Sequence, residues 1–256
     1  MPERLSALLE NCNIKGITGN PDADIEGIAY DSRNVRKNFA FFALPGVHTD
    51  GHDYISTAVK NGASAVFVSR MPEQIDDGIS CLLVDDTRKA MSFFSSSFYG
   101  HPEKKLKIIG VTGTDGKSTT VSFIYQLLNA LGRKTGFIST VEYDCTGKAE
   151  KNPYRQSTPE APEIMQILSE MVNRNFEYAV IESTSHGLSE KTSRLASINF
   201  NAGVLTNVTH EHLEFHGTME NYINDKANLF RKSSDFCVVN LSEPSRQSFI
   251  NAASAP

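Results

Sequence analysis

The feature that most constrains this 256-residue chain lies near its middle, where an apolar strand runs into a glycine-bent loop and then a helix. Leu106-Lys107-Ile108-Ile109-Gly110-Val111 reads as a buried strand, Thr112 to Thr120 as the loop T-G-T-D-G-K-S-T-T, and Val121 to Leu131 as a helix. A phosphate-binding loop requires that order. Glycines let successive backbone N–H groups point inward, and the helix N-terminus adds partial positive charge. Gly113 and Gly116 supply the bends, and Thr114, Asp115 and Thr119 complete the cradle. Lys117 would reach the β- and γ-phosphates of ATP and Ser118 a Mg²⁺ ion. The strict spacing G-x-x-x-x-G-K-[ST] fails by one position, because residue 111 is Val and the nearest upstream glycine is Gly110. The plain alternative is a glycine-rich turn with a solvated lysine, and the flanking strand and helix weigh against it.

Around this loop the apolar rhythm continues at Thr135 to Ile138, Tyr178 to Ile181, Gly203 to Leu205 and Phe236 to Val239, mostly at spacings that leave room for helices. Apolar strands alternating with helices predict a mostly parallel sheet covered on both faces, with ligands at the carboxyl ends of its strands. Upstream, apolar runs at Ile25 to Tyr30, Phe39 to Leu44, Ala65 to Val68 and Cys81 to Val84, with helical patterns at Tyr54 to Asn61 and Thr87 to Tyr99, predict a smaller α/β domain. At roughly 150 residues per domain the length allows two. The polar stretch Gly100-His101-Pro102-Glu103-Lys104-Lys105 places the boundary, giving domains 1–103 and 104–256.

A net charge of −5 leaves no basic field for nucleic acid or an anionic membrane, so an anionic ligand must be met by a local site. Cys12, Cys81, Cys145 and Cys237 form neither a C-x-x-C pair nor a disulfide framework, and read as buried apolar residues in a reducing compartment. With no signal-peptide pattern and no run of ~18 apolar residues, the expectation is a soluble, cytoplasmic protein without membrane insertion.

Three further segments carry chemistry. Glu182 closes the strand Tyr178 to Ile181, where a hard oxygen ligand could hold Mg²⁺ beside the phosphate loop; an isolated glutamate there is more safely a surface or N-cap residue. Between His210 and His216, three His and two Glu lie within seven residues, yet H-x-H matches no standard zinc spacing, which favours a Mg²⁺ or substrate role for His212. Lys226, read alone, is an exposed helix lysine.

Together these segments resemble the Mur ligase family, chiefly its tripeptide-synthetase type. The loop has the T-G-T-[ND]-G-K-[ST]-T form of Mur ligases and their folylpolyglutamate synthetase relatives, and Glu182 to Leu188 (E-S-T-S-H-G-L) resembles E-[VST]-S-S-H-G-L. Thr206 to Tyr222 is similar to T-N-[IL]-x-x-D-H-L-D-[YF]-H-G-T-M-E-x-Y, with Glu211 and Glu214 in place of Asp and His210 in place of Arg. Tyr222 to Phe230 resembles Y-x-x-[AD]-K-x-x-L-F, whose lysine is carbamylated by CO2 and helps hold a second Mg²⁺; the resemblance gives that role to Lys226. Tyr30-Asp31-Ser32-Arg33-Asn34-Val35 and the segment Phe41 to Ile55 look like the module that binds the UDP end of the precursor, which implies that Ser32, Val47, His48 and Thr49 contact uridine and phosphate. Gln156 to Glu160 is close to the T-T-P-[ED] loop, which implies that Ser157, Thr158, Thr184 and Arg194 meet the muramoyl peptide.

The resemblance implies a ligase that uses ATP and Mg²⁺ to add an amino acid to UDP-N-acetylmuramoyl-L-alanyl-D-glutamate through an acyl phosphate. Lys117, Glu182, His212 and Lys226 would be catalytic, and Ser118, Glu182, His212 and the Lys226 carbamate would hold metal. Mur ligases carry a third domain, so the expectation is that this chain holds only the N-terminal domain and part of the central one, with an apolar sheet edge exposed. The rivals are a non-catalytic module that binds precursor and nucleotide, and another Mur or folylpolyglutamate-type ligase. The identity of the added amino acid is not legible in these residues.

Overall fold

Two separate sheets carry the chain in the computed structural model, which describes every residue except Met1, Val47, His48, Asp77, Arg155 and His212, together with the side chain of Leu213. The chain divides into two units, Met1–Gly100 and His101–Pro256.

In the first unit a short pair, β1 (Glu3–Arg4) and β3 (Asp24–Ile25), accompanies a five-stranded sheet. The sheet comprises β2 (Ile14–Thr18), β4 (Gly27–Ala29), β5 (Phe39–Phe42), β6 (Ala63–Val68) and β7 (Ser80–Val84), in the order β2-β7-β6-β5-β4. Only β2 runs antiparallel to its neighbour. Alternation along the strands sorts side chains to opposite faces. Phe41, Val66 and Cys81 pack with Ile55 and Ala58 of α1 (Ile55–Lys60), whereas Phe42, Phe67 and Leu82 pack with Phe94 of α2 (Thr87–Phe98). The Phe42 and Phe67 rings stack at 4.2 Å and Phe94 meets both edge-on. Asp86 caps α2 by accepting from the N–H groups of Arg88 and Lys89.

The second unit has a seven-stranded sheet. Its members are β8 (Lys107–Thr112), β9 (Thr135–Ile138), β10 (Glu142–Asp144), β11 (Glu150–Lys151), β12 (Tyr178–Glu182), β13 (Phe200–Leu205) and β14 (Ser233–Val239), ordered β11-β10-β9-β12-β8-β13-β14. The five strands from β9 to β14 in that order are parallel, and β10 and β11 form an antiparallel edge. The helices are α3 (Lys117–Ala130), α4 (Ala161–Asn173), α5 (Ser185–Leu188), α6 (Leu213–His216), α7 (Met219–Arg231) and α8 (Arg246–Ala252). On one face Val121 of α3 packs with Val111, Phe137 and Val180. On the other, Met171 of α4 sits over Gly136 and Leu229 of α7 over Gly110 and Gly203. A Cβ at Gly110 would lie 2.3 Å from Leu229, so this glycine serves close helix packing and stands outside the phosphate-loop spacing.

The mostly parallel α/β architecture agrees with the sequence pattern, with local differences. The helix after the glycine loop begins at Lys117, earlier than the apolar periodicity from Val121 indicates, because Gly116 supplies the left-handed N-cap and the Ser-Thr-Thr run continues as helix. The β10–β11 hairpin is too short and polar for its alternation to show. Three cysteines are buried, but Cys237 is only half-buried, because it lies on the edge strand β14, where Phe236 and Val238 also face solvent. Phe123 and Leu127 on α3, and Leu131 just after it, are exposed. Among the described residues no helix is long and apolar enough to cross a membrane.

Candidate functional site

Parallel register brings the carboxyl ends of β12, β8 and β13 level with one another, with Glu182 beside Val111 and Leu205 beside Thr112. The loop Gly113–Gly116 leaves this edge and feeds α3 at Lys117. Gly113 has φ +150°, and a Cβ there would fall 1.9 Å from Thr206 Oγ1. Gly116 has φ +79° with open space around it, so its need for glycine is conformational.

The segment after β13 clamps the loop. The Thr114 N–H donates to the Asn207 carbonyl at 2.8 Å and the Asp115 N–H to Asn207 Oδ1 at 2.9 Å. Thr206 Oγ1 donates to the Asp115 carbonyl at 2.7 Å, and the Thr209 N–H donates to Thr114 Oγ1 at 2.9 Å. At about 1 kcal/mol for each well-made bond, four such contacts fix a glycine-bent segment that could not hold its shape alone. Lys117 Nζ folds back onto the Thr114 carbonyl at 2.6 Å. Thr119 is exposed on the first turn of α3.

Glu182 is 2% exposed, so the surface reading of this residue fails. It is not an N-cap either: Thr184 caps α5 by accepting from the Gly187 N–H. Its Oε2 accepts from Ser118 Oγ at 2.8 Å and from the Thr140 N–H at 3.0 Å, and its Oε1 accepts from Thr140 Oγ1 at 2.9 Å. A buried carboxylate and a hydroxyl at the mouth of a phosphate loop are hard oxygen donors of the kind Mg²⁺ takes, so these residues fit that ion. Thr140, which follows β9 on the neighbouring strand, was not singled out by any motif; strand order is the signal that locates it.

Lys226 is buried on α7, which overturns its reading as an exposed helix lysine. Its Nζ donates to the Gly113 carbonyl at 2.5 Å and lies 4.3 Å from the centre of the Tyr222 ring. Burial, then the nearby Lys117 ammonium, lowers its pKa from 10.5 to about 7. A large part of the amine is therefore neutral at physiological pH.

A cavity of about 360 Å³ opens over these groups. Gly113, Lys117, Ser157, Thr158, Thr184, Arg194 and Lys226, all singled out in the sequence, line it, and so do Ser185, His186, Glu211 and Tyr222. Lys117, Arg194 and the partly neutral Lys226 bring three nitrogen donors to this lining, against the single carboxylate of Glu211. Thr158 Oγ1 bridges the Glu182 carbonyl at 2.8 Å and Thr184 Oγ1 at 2.9 Å. Arg194 is held at the wall by Glu160 Oε1 and the Thr158 carbonyl, each at 3.0 Å. Beneath the wall, His216 is fully enclosed between Asp225 and Ser185. His212, Val47 and His48 lie outside the described residues. Ser32 is buried in the first unit, its carbonyl accepting from Asn61 Nδ2, and Thr49 is exposed, its carbonyl accepting from the Gly46 N–H.

Comparison with known proteins points the same way. Residues 111–256 match the Mur ligase middle domain and residues 24–99 the Mur ligase family catalytic domain. The chain is 51% identical to the UDP-N-acetylmuramyl-tripeptide synthetase of Borrelia garinii subsp. bavariensis over 245 residues, 93% of this chain and 48% of that protein. It is 38% identical to the UDP-N-acetylmuramoyl-L-alanyl-D-glutamate--2,6-diaminopimelate ligase of Clostridium tetani, over 94% of this chain and 49% of that one. A solved structure of such a diaminopimelate ligase superposes with a TM-score of 0.81 at 24% identity, covering 98% of this chain and 50% of the other. The chain spans about half the length of the curated relatives it matches.

Proposed function

Because the chain belongs to the Mur ligase family, we propose that it supplies the nucleotide-phosphate site and precursor-binding surfaces of a ligase. That ligase uses ATP to join an amino acid to UDP-N-acetylmuramoyl-L-alanyl-D-glutamate in peptidoglycan precursor synthesis. The supporting observation is the convergence of Lys117, the Ser118–Glu182 pair and buried Lys226 on one glycine loop.

The loop N–H groups not donated to Asn207, with the α3 N-terminus, receive the β- and γ-phosphates. Lys117 Nζ exchanges the Thr114 carbonyl for a γ-phosphate oxygen. Ser118 and Glu182 would hold Mg²⁺, with His212 as a further ligand, and the ion would neutralise charge on the transferring phosphoryl group. The neutral Lys226 amine adds to the carbon of CO2, one N–C bond forming as a proton leaves to solvent, and the resulting carbamate gives a second anionic oxygen donor. Thr158, Thr184 and Arg194, with Ser157 at the rim, orient the peptide so that its carboxylate faces the γ-phosphate. Phosphoryl transfer gives an acyl phosphate, and attack by the incoming amine forms the amide and releases phosphate. Ser32, with Val47 to Thr49, binds the UDP end. The protein acts in the cytoplasm, where these soluble substrates meet.

Titration calorimetry of the chain tests this. A non-hydrolysable ATP analogue with Mg²⁺ and the UDP-muramoyl dipeptide should each bind, and Lys117→Ala should weaken only the nucleotide. Binding of a folate in place of the dipeptide, or no binding of either ligand, sinks the reading.

A further inference from the structure

Three polar side chains from three separate segments form one buried line beneath the cavity. Asp225 Oδ2 on α7 lies 2.7 Å from His216 Nδ1 at the end of α6, and His216 Nε2 lies 3.1 Å from Ser185 Oγ, the first residue of α5. The His216 side chain has no exposed surface, and that of Asp225 has 16%. Ser185 faces the cavity that also holds Lys117 and Lys226, whereas Asp225 faces a second depression, of about 410 Å³, on the far side of the imidazole. The ring is enclosed by His186, Phe215 and Tyr222.

Hydrogen-bond direction along the line follows from the chemistry of each group. A carboxylate only accepts, so Nδ1 carries the proton and donates to Asp225. In the neutral ring Nε2 then presents a lone pair, and Ser185 donates its hydroxyl hydrogen to it. A serine hydroxyl has one hydrogen and two lone pairs, so the Ser185 oxygen faces the cavity as an acceptor and not as a donor. It stands among cationic side chains that would bind phosphate and carboxylate. A fixed acceptor in such a wall discriminates against a second anion and selects an N–H.

We infer that Asp225 and His216 are positioning residues that lock the Ser185 hydroxyl as an acceptor for an N–H of the bound peptide. The ligand assignment rests on the precursor reading above; the lock itself does not. Each of the three contributes something the others cannot replace: Asp225 sets the tautomer, His216 the direction of the serine hydroxyl, and Ser185 the contact. The arrangement resembles that of hydrolytic triads, but here its product is the orientation of a rotor.

Two readouts test the inference separately. In the ligand-free chain, imidazole ¹⁵N spectra should show a protonated Nδ1 and a bare Nε2 on His216, and the Ser185 hydroxyl proton should exchange slowly. His216→Asn keeps a donor to Asp225 but cannot reach Ser185, so it should abolish that slow exchange; His216→Gln, whose amide oxygen reaches the Nε2 position, should restore it. A protonated Nε2, or slow exchange that survives in His216→Asn, overturns the lock whatever the ligand proves to be. In calorimetry with the UDP-muramoyl dipeptide, His216→Asn and Ser185→Ala should each weaken binding about 5-fold, the double variant no more than either, with His216→Gln close to the parent. Nucleotide affinity should not change. Equal loss for nucleotide and dipeptide, or fully additive losses, overturns the positioning role in favour of general destabilisation. If the parent chain binds nucleotide but not the dipeptide, the peptide assignment falls.

Discussion

The turn around Asp50 in the first unit and the glycine loop in the second are both built from charged groups at the ends of strands, but they settle their charges in opposite ways. Asp50 accepts from the His52 N–H at 2.9 Å, from His52 Nδ1 at 2.7 Å and from Arg70 Nη2 at 2.7 Å. His52 Nε2 in turn accepts from the Ser69 N–H at 3.0 Å. The backbone N–H of His52, with Arg70 and His52 beside it, holds the Asp50 carboxyl below the usual carboxylate range. Around the glycine loop the second unit places two lysines of like charge near each other, and one of them is buried with its proton loosened. The first arrangement is satisfied as it stands. The second holds both ammonium groups against backbone carbonyls, those of Thr114 and Gly113, an arrangement suited to an anion.

The largest test removes the cation that would meet the γ-phosphate. Lys117→Ala should lower ligase turnover on the order of 10²-fold in a phosphate-release assay, whereas Asp50→Asn should leave catalysis at the phosphate site unchanged. Turnover within a few-fold of normal for Lys117→Ala would erase the contrast.

Next in size is the backbone. Gly113→Ala puts a methyl 1.9 Å from Thr206 Oγ1 at φ +150°, and should cost about 3 kcal/mol in urea unfolding. Gly116→Ala, at φ +79° with open space, should cost about 1 kcal/mol. Equal losses at the two sites would show that the Thr206 clamp does not constrain the loop.

Lys226 supplies a pH test. Its pKa is about 7 in the folded chain against 10.5 for the ordinary group. The unfolded chain therefore binds more protons between those values, and stability rises as pH climbs from about 7 towards 10.5; below pH 7 the cost of burying the ammonium is present in full. Lys226→Met should flatten that rise and gain about 1–2 kcal/mol near pH 6, after the loss of the Gly113 hydrogen bond. Thermal melts across pH 6–10 measure it. The smallest effect belongs to the first unit: Asp50→Asn should cost about 0.5–1 kcal/mol at neutral pH, because Asp50 itself is 30% exposed and Arg70 59%. With the Asp50 pKa held down, that stabilisation is present above pH 3.8, the ordinary aspartate value, and is lost as pH falls further.

What the sequence revealed, and what it hid, follow from distance along the chain. Strand β8, its glycine loop and α3 are contiguous, so local patterns locate them, and the apolar runs of β9, β12 and β13 announce a parallel sheet by their composition alone. Ser118 and Glu182 stand 64 residues apart, and their contact was foreseeable because the loop after β8 and the end of β12 belong to neighbouring strands of one sheet. No such rule exists for Ser185, His216 and Asp225, which come from two short helices and one long one, whereas Thr140 reaches Glu182 from the end of the neighbouring strand β9. The burial of Lys226 shows in its pattern only once α7 is known to lie over Gly110 and Gly203, where the missing side chains let the helix approach. Edge strand β14 begins Ser-Ser-Asp, and its polar start hid three of its residues from any reading of hydrophobicity.

The bonds from Thr206, Asn207 and Thr209 tie the shape of the glycine loop to the segment that follows β13. The strap that grips Thr114 and Asp115 continues without interruption into residues 210–216, and so to the imidazole beneath Ser185. The same chain leads on to α6, where His216 meets Ser185.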